Sequence, residues 1–404
     1  MYNAGWSGYQ NGNPGLSLTK AIEKEVMADK SVTDNDELKG DNQNRPLTWQ
    51  QVKALASIKA TAERPAGFPS RDPLSFYVQS RPGTEVAPAF EVEYLSPGEY
   101  GVGVSRLRVR LPDAVVSHIS GRRSHHLDLP SREKKAHPTA RVNSYRPPWL
   151  DATFIPTTLP RPQLPRIFAR ERKVRPLYVG PDDRRQILTD TSYPWLCTGK
   201  IFTSDGTAGS GVLVGDRLVL TARHVVPWTS IGAGSWWMKF IPAYFDGREP
   251  FGSSYVSDVV NYGTDDTEYN LSHDYAVLRL YDPMGASLGY LGSTEFDDGW
   301  RNNDNFINIG YMSDIAGAQE PVWQRYWIED DYEDDDGQTL ETEASLNSGA
   351  SGGPFFAWFD NGSQIRLIGA VTGETKFDGD VDNSLAGGPN MVNLIDWGRA
   401  NWPK

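Results

Sequence analysis

The chain has 404 residues, with 40 Lys and Arg against 52 Asp and Glu and a formal net charge of −12. That length allows two or three domains. The single cysteine, Cys197, excludes an intramolecular disulfide, so any core must hold by burial alone.

Residues 1–15 are rich in Gly and Asn and read as disordered. The opening Met1–Trp6 has neither the basic region nor the apolar run of a signal peptide. Helical patterns follow near 17–29 and 47–63. In the second, Thr48 can cap and Gln51 stands three residues on, close to a capping box. Short strand-like runs, Phe90–Tyr94 and Val102–Leu111, point to a small pro-domain. Residues 121–176 carry Pro147, Pro148, Pro156, Pro160, Pro162 and Pro165 and read as an extended linker. It contains the basic run Arg170-Glu171-Arg172-Lys173, where processing would release residues 1–173. Residues 1–188 carry a net charge of +8 and residues 189–404 one of −20. The opposite signs would attract, making the leader an intramolecular partner, and the acidic half excludes nucleic-acid binding by that part.

From Trp195 the pattern changes to short strands separated by turns: Lys200–Ser204, Gly211–Val214, Leu218–Thr221, Trp236–Tyr244, Ala276–Tyr281, Asn305–Met312 and Val322–Ile328. Phe355–Phe359 and Ile365–Val371 are joined by Asp360-Asn361-Gly362-Ser363, a hairpin signal. Glu329–Asp336 is an acidic run, read as a solvated loop rather than a cation site. Met391, Leu394 and Ile395 stand at helical spacing in a closing helix over 391–402. Many short strands at regular spacing imply an all-β barrel or sandwich. No run of 18 apolar residues is present, so no membrane-spanning helix is expected.

Three short words carry chemistry. Gly349-Ala350-Ser351-Gly352-Gly353-Pro354 places a serine in a glycine-rich turn. Such a turn leaves backbone N–H groups free beside a hydroxyl, as an oxyanion requires. Upstream stand His224, in Thr221-Ala222-Arg223-His224-Val225-Val226, and Asp274, opening the apolar run Tyr275-Ala276-Val277-Leu278. Each word alone is commonplace. Their order, His then Asp then Ser, is that of one convergent solution to acyl transfer.

In these words the chain resembles the trypsin-like serine proteases of the chymotrypsin fold. Asp182-Asp183-Arg184-Arg185-Gln186-Ile187-Leu188-Thr189-Asp190-Thr191 brings it nearest the bacterial glutamyl endopeptidase branch. The resemblance covers roughly 177–404. It implies an all-β fold of two six-stranded antiparallel β-barrels with a C-terminal helix, preceded by a mixed, partly disordered region over 1–176. It also implies a serine endopeptidase acting through an acyl-enzyme, made as a precursor. Ser351 would be nucleophile, His224 general base, and Asp274 its orienting partner, with the N–H groups of Gly349 and Ser351 as oxyanion hole. Ser345, Leu346, Val371, Thr372 and Gly373 would line the specificity pocket. No metal or cofactor is implied. The expected partners are protein or peptide substrates, with no nucleic acid or membrane, and the expected state is a monomer. Secretion follows from the family alone.

Two departures stand out. Ala350 takes the place where the family usually has an Asp to pair with a new N-terminus. Leu346 and Val371 stand where the glutamyl branch reads a carboxylate with Thr and His, so an apolar side chain is expected before the cut. Glu374 could line the rim. Among rivals within the chain, His273 reads as exposed, and Asp265 and Asp266 lie in a polar loop. Cys197, after Trp195-Leu196, reads as a core residue rather than a catalytic thiol. The alternative functions are a silent binding protein on the same fold or an esterase using the same three residues.

Overall fold

The computed structural model describes residues 45–66, 91–95, 105–110, 120–129, 140–154, 179, 182–262, 271–334, 337–377 and 380–402. Gln43–Lys404 form one compact unit. The stretches 1–15 and 17–29, the pair Asp265–Asp266 and the run Arg170–Lys173 lie outside the described residues.

The chain is mostly β. The leader contributes β1 (Glu91–Leu95), β2 (Ser105–Arg110), β3 (Arg123–Leu127) and β4 (Arg141–Val142), and β5 (Gln186–Ile187) follows. Next come β6 (Thr198–Thr203), β7 (Thr207–Gly215), β8 (Leu218–Thr221), β9 (Met238–Pro242), β10 (Ser254–Tyr262) and β11 (Ala276–Leu280). The last group is β12 (Gly292–Thr294), β13 (Phe306–Gly310), β14 (Val322–Tyr326), β15 (Asp330–Asp334), β16 (Gly337–Thr342), β17 (Pro354–Phe359), β18 (Gln364–Phe377) and β19 (Asp380–Gly387). A helix, Pro389–Asn401, closes the chain.

Strands β7, β6, β9, β10, β11 and β8 pair in that order, and β8 returns to β7. All six pairings are antiparallel, so this is a closed six-stranded barrel. The second sheet runs β15, β16, β19, β18, β17, β13, β14, β5. Strand β14 reaches β15 through only Trp327, Ile328 and Glu329. There the Glu329 N–H donates to Glu341 O of β16 at 2.8 Å.

Strand β17 shows how sequence sets this layering. Pro354-Phe355-Phe356-Ala357-Trp358-Phe359 is buried throughout. Successive side chains point to opposite faces of a strand. Phe355, Ala357 and Phe359 accordingly fill the second sheet's own core. Phe356 and Trp358 join the larger cluster that holds the first barrel's Val212, Leu220 and Val277. A strand with no polar face must be covered on both sides. The helix Pro389–Asn401 adds Met391, Val392, Leu394 and Ile395 to that larger cluster.

The hairpin expected at Asp360–Ser363 joins β17 to β18, with Phe359 opposite Gln364. Several expectations are corrected. The helix expected over 47–63 spans only Trp49–Ala54, with the Thr48–Gln51 capping box in place. Beyond it the backbone is extended, because Ile58 exchanges both backbone hydrogen bonds with Ala152, at 3.0 and 2.8 Å. Part of the stretch read as linker is strand: β3 lies parallel to β10 over five residues, and β4 pairs with β12. Prolines punctuate that stretch without occupying either strand. The acidic run is no loop: β15 pairs with β16. Arg301 there forms ion pairs with Asp298, Asp330 and Asp331.

Candidate active site

Strand β8 ends at Thr221, and a single turn of 3-10 helix, Arg223–Val225, carries His224. Strand β11 pairs with β8, opposing Ala276 to Thr221. That register brings Asp274, two residues before β11, beside the histidine. The His224 Nδ1 to Asp274 Oδ2 distance is 2.6 Å, and the His224 backbone N–H donates to Asp274 Oδ1 at 2.9 Å. The Thr372 hydroxyl donates to Asp274 Oδ2 as well. Burial pushes the Asp274 pKa up. The charge of His224 and the three hydrogen bonds outweigh it and hold the carboxyl below its ordinary value. An ionised carboxylate on Nδ1 fixes the ring so that Nε2 faces away, and Nε2 is buried with no hydrogen-bond partner.

Ser351 is fully buried in the turn before β17. Gly349 and Gly352 have φ of 94° and 80°, the left-handed region that favours glycine. The turn is pinned to the first barrel by one residue of β7, Ser210. The Ser210 N–H donates to Ser351 O at 2.8 Å, and its hydroxyl donates to Gly349 O at 2.8 Å. That hydroxyl also accepts from the Tyr311 N–H at 2.9 Å, and Ser210 O accepts from the Thr221 hydroxyl at 2.8 Å. A Cβ on Gly352 would lie 2.3 Å from both Ser210 O and Thr221 Oγ1. The serine turn therefore rests directly on the end of β8, from which His224 follows.

Of the residues expected to line a pocket, Ser345, Leu346, Val371 and Thr372 are all 0 % exposed. Leu346 and Val371 pack in the second sheet's core. Ser345 O accepts from Gln324 Nε2 at 2.8 Å. The Thr372 hydroxyl is engaged by Asp274, and Gly373 follows a bulge between Val371 and Gly373. The Glu374 side chain lies outside the described residues.

His273 is a correction: it is 1 % exposed, not exposed. Its Nδ1 lies 3.0 Å from Ser272 Oγ and its Nε2 3.2 Å from Asn390 Nδ2, between the rings of Tyr262 and Tyr275. Cys197 is buried as expected, and burial pushes its thiol pKa well up.

Two contacts are absent from the sequence-based expectations. Thr372, named for the pocket, also bonds Asp274, beside a bulge no local pattern announces. Ser210 had a usable signal. It lies in Gly209-Ser210-Gly211, and glycines inside a strand mark a close backbone approach. A Cβ on Gly209 would meet Val225 at 2.8 Å and Ser351 O at 3.0 Å.

The family profile described as trypsin-like peptidase domain matches residues 209–365. That span includes Ser210, His224, Asp274 and Ser351. Over these residues the chain is similar to trypsin-like peptidase domains. A glutamyl endopeptidase of Bacillus licheniformis is 28% identical to this chain over 123 residues. The aligned part is 28% of this chain and 35% of the relative, so the chain spans about a third of that protein's length. Among solved structures, a Glu endopeptidase in complex with MPD is 18% identical, covers 55% of this chain and 99% of its own, and has a TM-score of 0.45. The protease Anisep from Arthrobacter nicotinovorans is also 18% identical, at 54% and 99% coverage and a TM-score of 0.40. The matched span thus lies inside a longer chain, with strands β1 to β6 ahead of it.

Proposed function

We propose that this chain is a serine endopeptidase in which His224, Asp274 and Ser351 act as one unit. The observation that carries the reading is the His224–Asp274 contact at 2.6 Å, with a serine turn held against the same strand end. In this reading Ser351 attacks the scissile carbonyl and gives its proton to His224 Nε2. The protonated ring, stabilised by Asp274, then protonates the leaving amine. Water reverses the sequence to release the acyl group. The oxyanion would be held by the N–H groups of Gly349 and Ser351, on the turn that Ser210 fixes. The expected substrates are proteins or peptides. Processing near Lys173 would make the enzyme from a precursor.

The test is fluorophosphonate labelling and casein hydrolysis by the full chain and its Ser351→Ala variant. Labelling and casein turnover in the parent alone, with turnover down roughly a millionfold in the variant, are expected. Equal labelling of the two would remove Ser351 from the mechanism. Hydrolysis of short-chain esters without casein would favour an esterase.

A further inference from the structure

We infer that the described part of the leader, up to Phe154, is a permanent part of the folded enzyme. A cut between Phe154 and Val179 would then produce a two-chain protein and not a released pro-segment.

The sequence demands such a cover. Phe356 and Trp358 face away from the second sheet's core on β17, with Trp323 beside them on β14, and Trp195 covers one side of the three at 6.0, 5.8 and 6.0 Å. Left open on the other side, Trp358 and Trp323 would form an aromatic patch of the kind soluble proteins rarely leave bare. Leader residues close that side. Trp49 packs 6.4 Å from Trp358 and 6.5 Å from Trp323, and Phe154 lies 6.4 Å from Trp358. Val52, Leu150 and Phe154 are at most 4 % exposed and belong to the same cluster as Trp195 and Trp358.

Backbone groups make the same attachment. Leu47 N–H donates to Trp358 O at 2.7 Å, and Tyr145 and Tyr290 exchange two hydrogen bonds of 2.9 Å. Strand β3 adds a five-residue parallel ladder to the closed barrel. One guanidinium ties the leader to everything else: Arg399 donates to Asn143 O at 2.8 Å, Val214 O at 2.7 Å and Leu291 O at 3.0 Å. Removing the leader would cost these groups their partners and return the aromatic face to water. The attachment also reaches the site's surroundings, because the His126 ring of β3 lies 5.6 Å from Trp228, whose indole N–H donates to Arg223 O.

The experiment uses the full chain in a Ser351→Ala background, so its outcome does not depend on the peptidase reading. A recognition sequence for a site-specific endoprotease is placed between Phe154 and Val179 and cut to completion. The expected result is that both polypeptides elute together in native gel filtration, with the mass of the uncut protein, and part only in denaturant. Separate elution of the two pieces in native buffer would overturn the inference. A second measurement compares release in rising urea with and without Trp49→Ala. Release about 30-fold more favourable in the variant is expected for an anchor of this type. Unchanged release would overturn the assignment of Trp49 as the anchor.

Discussion

A single hydroxyl lies against the Asp274 carboxylate, and its role is testable apart from folding. Thr372→Val keeps the shape and removes one donor to a buried anion, a loss of roughly 1–3 kcal/mol. The expected outcome is a kcat lowered about tenfold or more with KM little changed, read in steady-state kinetics on a peptide substrate. Asp274 itself carries a pH signature. Its folded pKa is depressed, so the stability it confers is present above the unfolded carboxylate range and is lost as pH falls through the folded value. Asp274→Asn should therefore flatten the acid limb of stability below about pH 4, where the unfolded carboxyl titrates. Denaturant midpoints across pH 3–6 check this. The contact between His224 and Asp274 was legible in sequence because each stands in a short word at a strand boundary. Thr372 and Ser210 were not legible in that way. Their partners lie 98 and 139 positions away, and only the register of β18 and β7 brings them together.

At the scale of elements, the serine turn has little room. Gly352 sits at a φ of 80° against β7 and β8, where a side chain would collide with backbone. Gly352→Ala should cost several kcal/mol through both strain and displacement, and abolish fluorophosphonate labelling. Thermal melting beside labelling separates an unfolded protein from a folded one with a displaced turn. Strands with β-branched and aromatic runs were legible, and Leu218–Thr221 was read to the residue. Strand β10 was missed because Asp258 and Asn261, both buried, break its apolar pattern. The helix over 47–63 was overread because a good capping box starts a helix but does not sustain one against the pairing of Ile58 with Ala152. The charges of 329–336 disguised β15 as a loop, although Arg301 neutralises two of them within the hairpin.

For the whole molecule, the most deeply buried cation among the described residues takes no part in the proposed chemistry. Lys200 is 1 % exposed, with Nζ 5.0 Å from the centres of the Phe202 and Tyr244 rings and 2.6 Å from Ala318 O. Burial pulls its pKa down to about 7. Between that value and the ordinary 10.5, the unfolded chain binds more protons than the native one. Stability from this group therefore rises with pH across that window and is lost as pH falls towards 7. Lys200→Met should raise the melting temperature at pH 6, and the gain should shrink as pH approaches 10. An equal gain at both would place the lysine's cost in packing rather than charge. The overall barrel architecture was legible from strand spacing and family words. The integration of the leader was not, because its attachment is written in the two-sided apolar character of β17 rather than in the leader's own composition.

Cys197 sits fully buried at the junction of these layers, its thiol 3.9 Å from Leu288 O. Because the chain has no second sulfhydryl, a thiol-specific reagent has one address on this protein. That address is closed in the native state twice over, by lack of access and by a thiol that resists ionisation. The rate of adduct formation should then report how often the molecule opens at its centre, with no label introduced and no surface site to mask. The chain carries its own clock for unfolding.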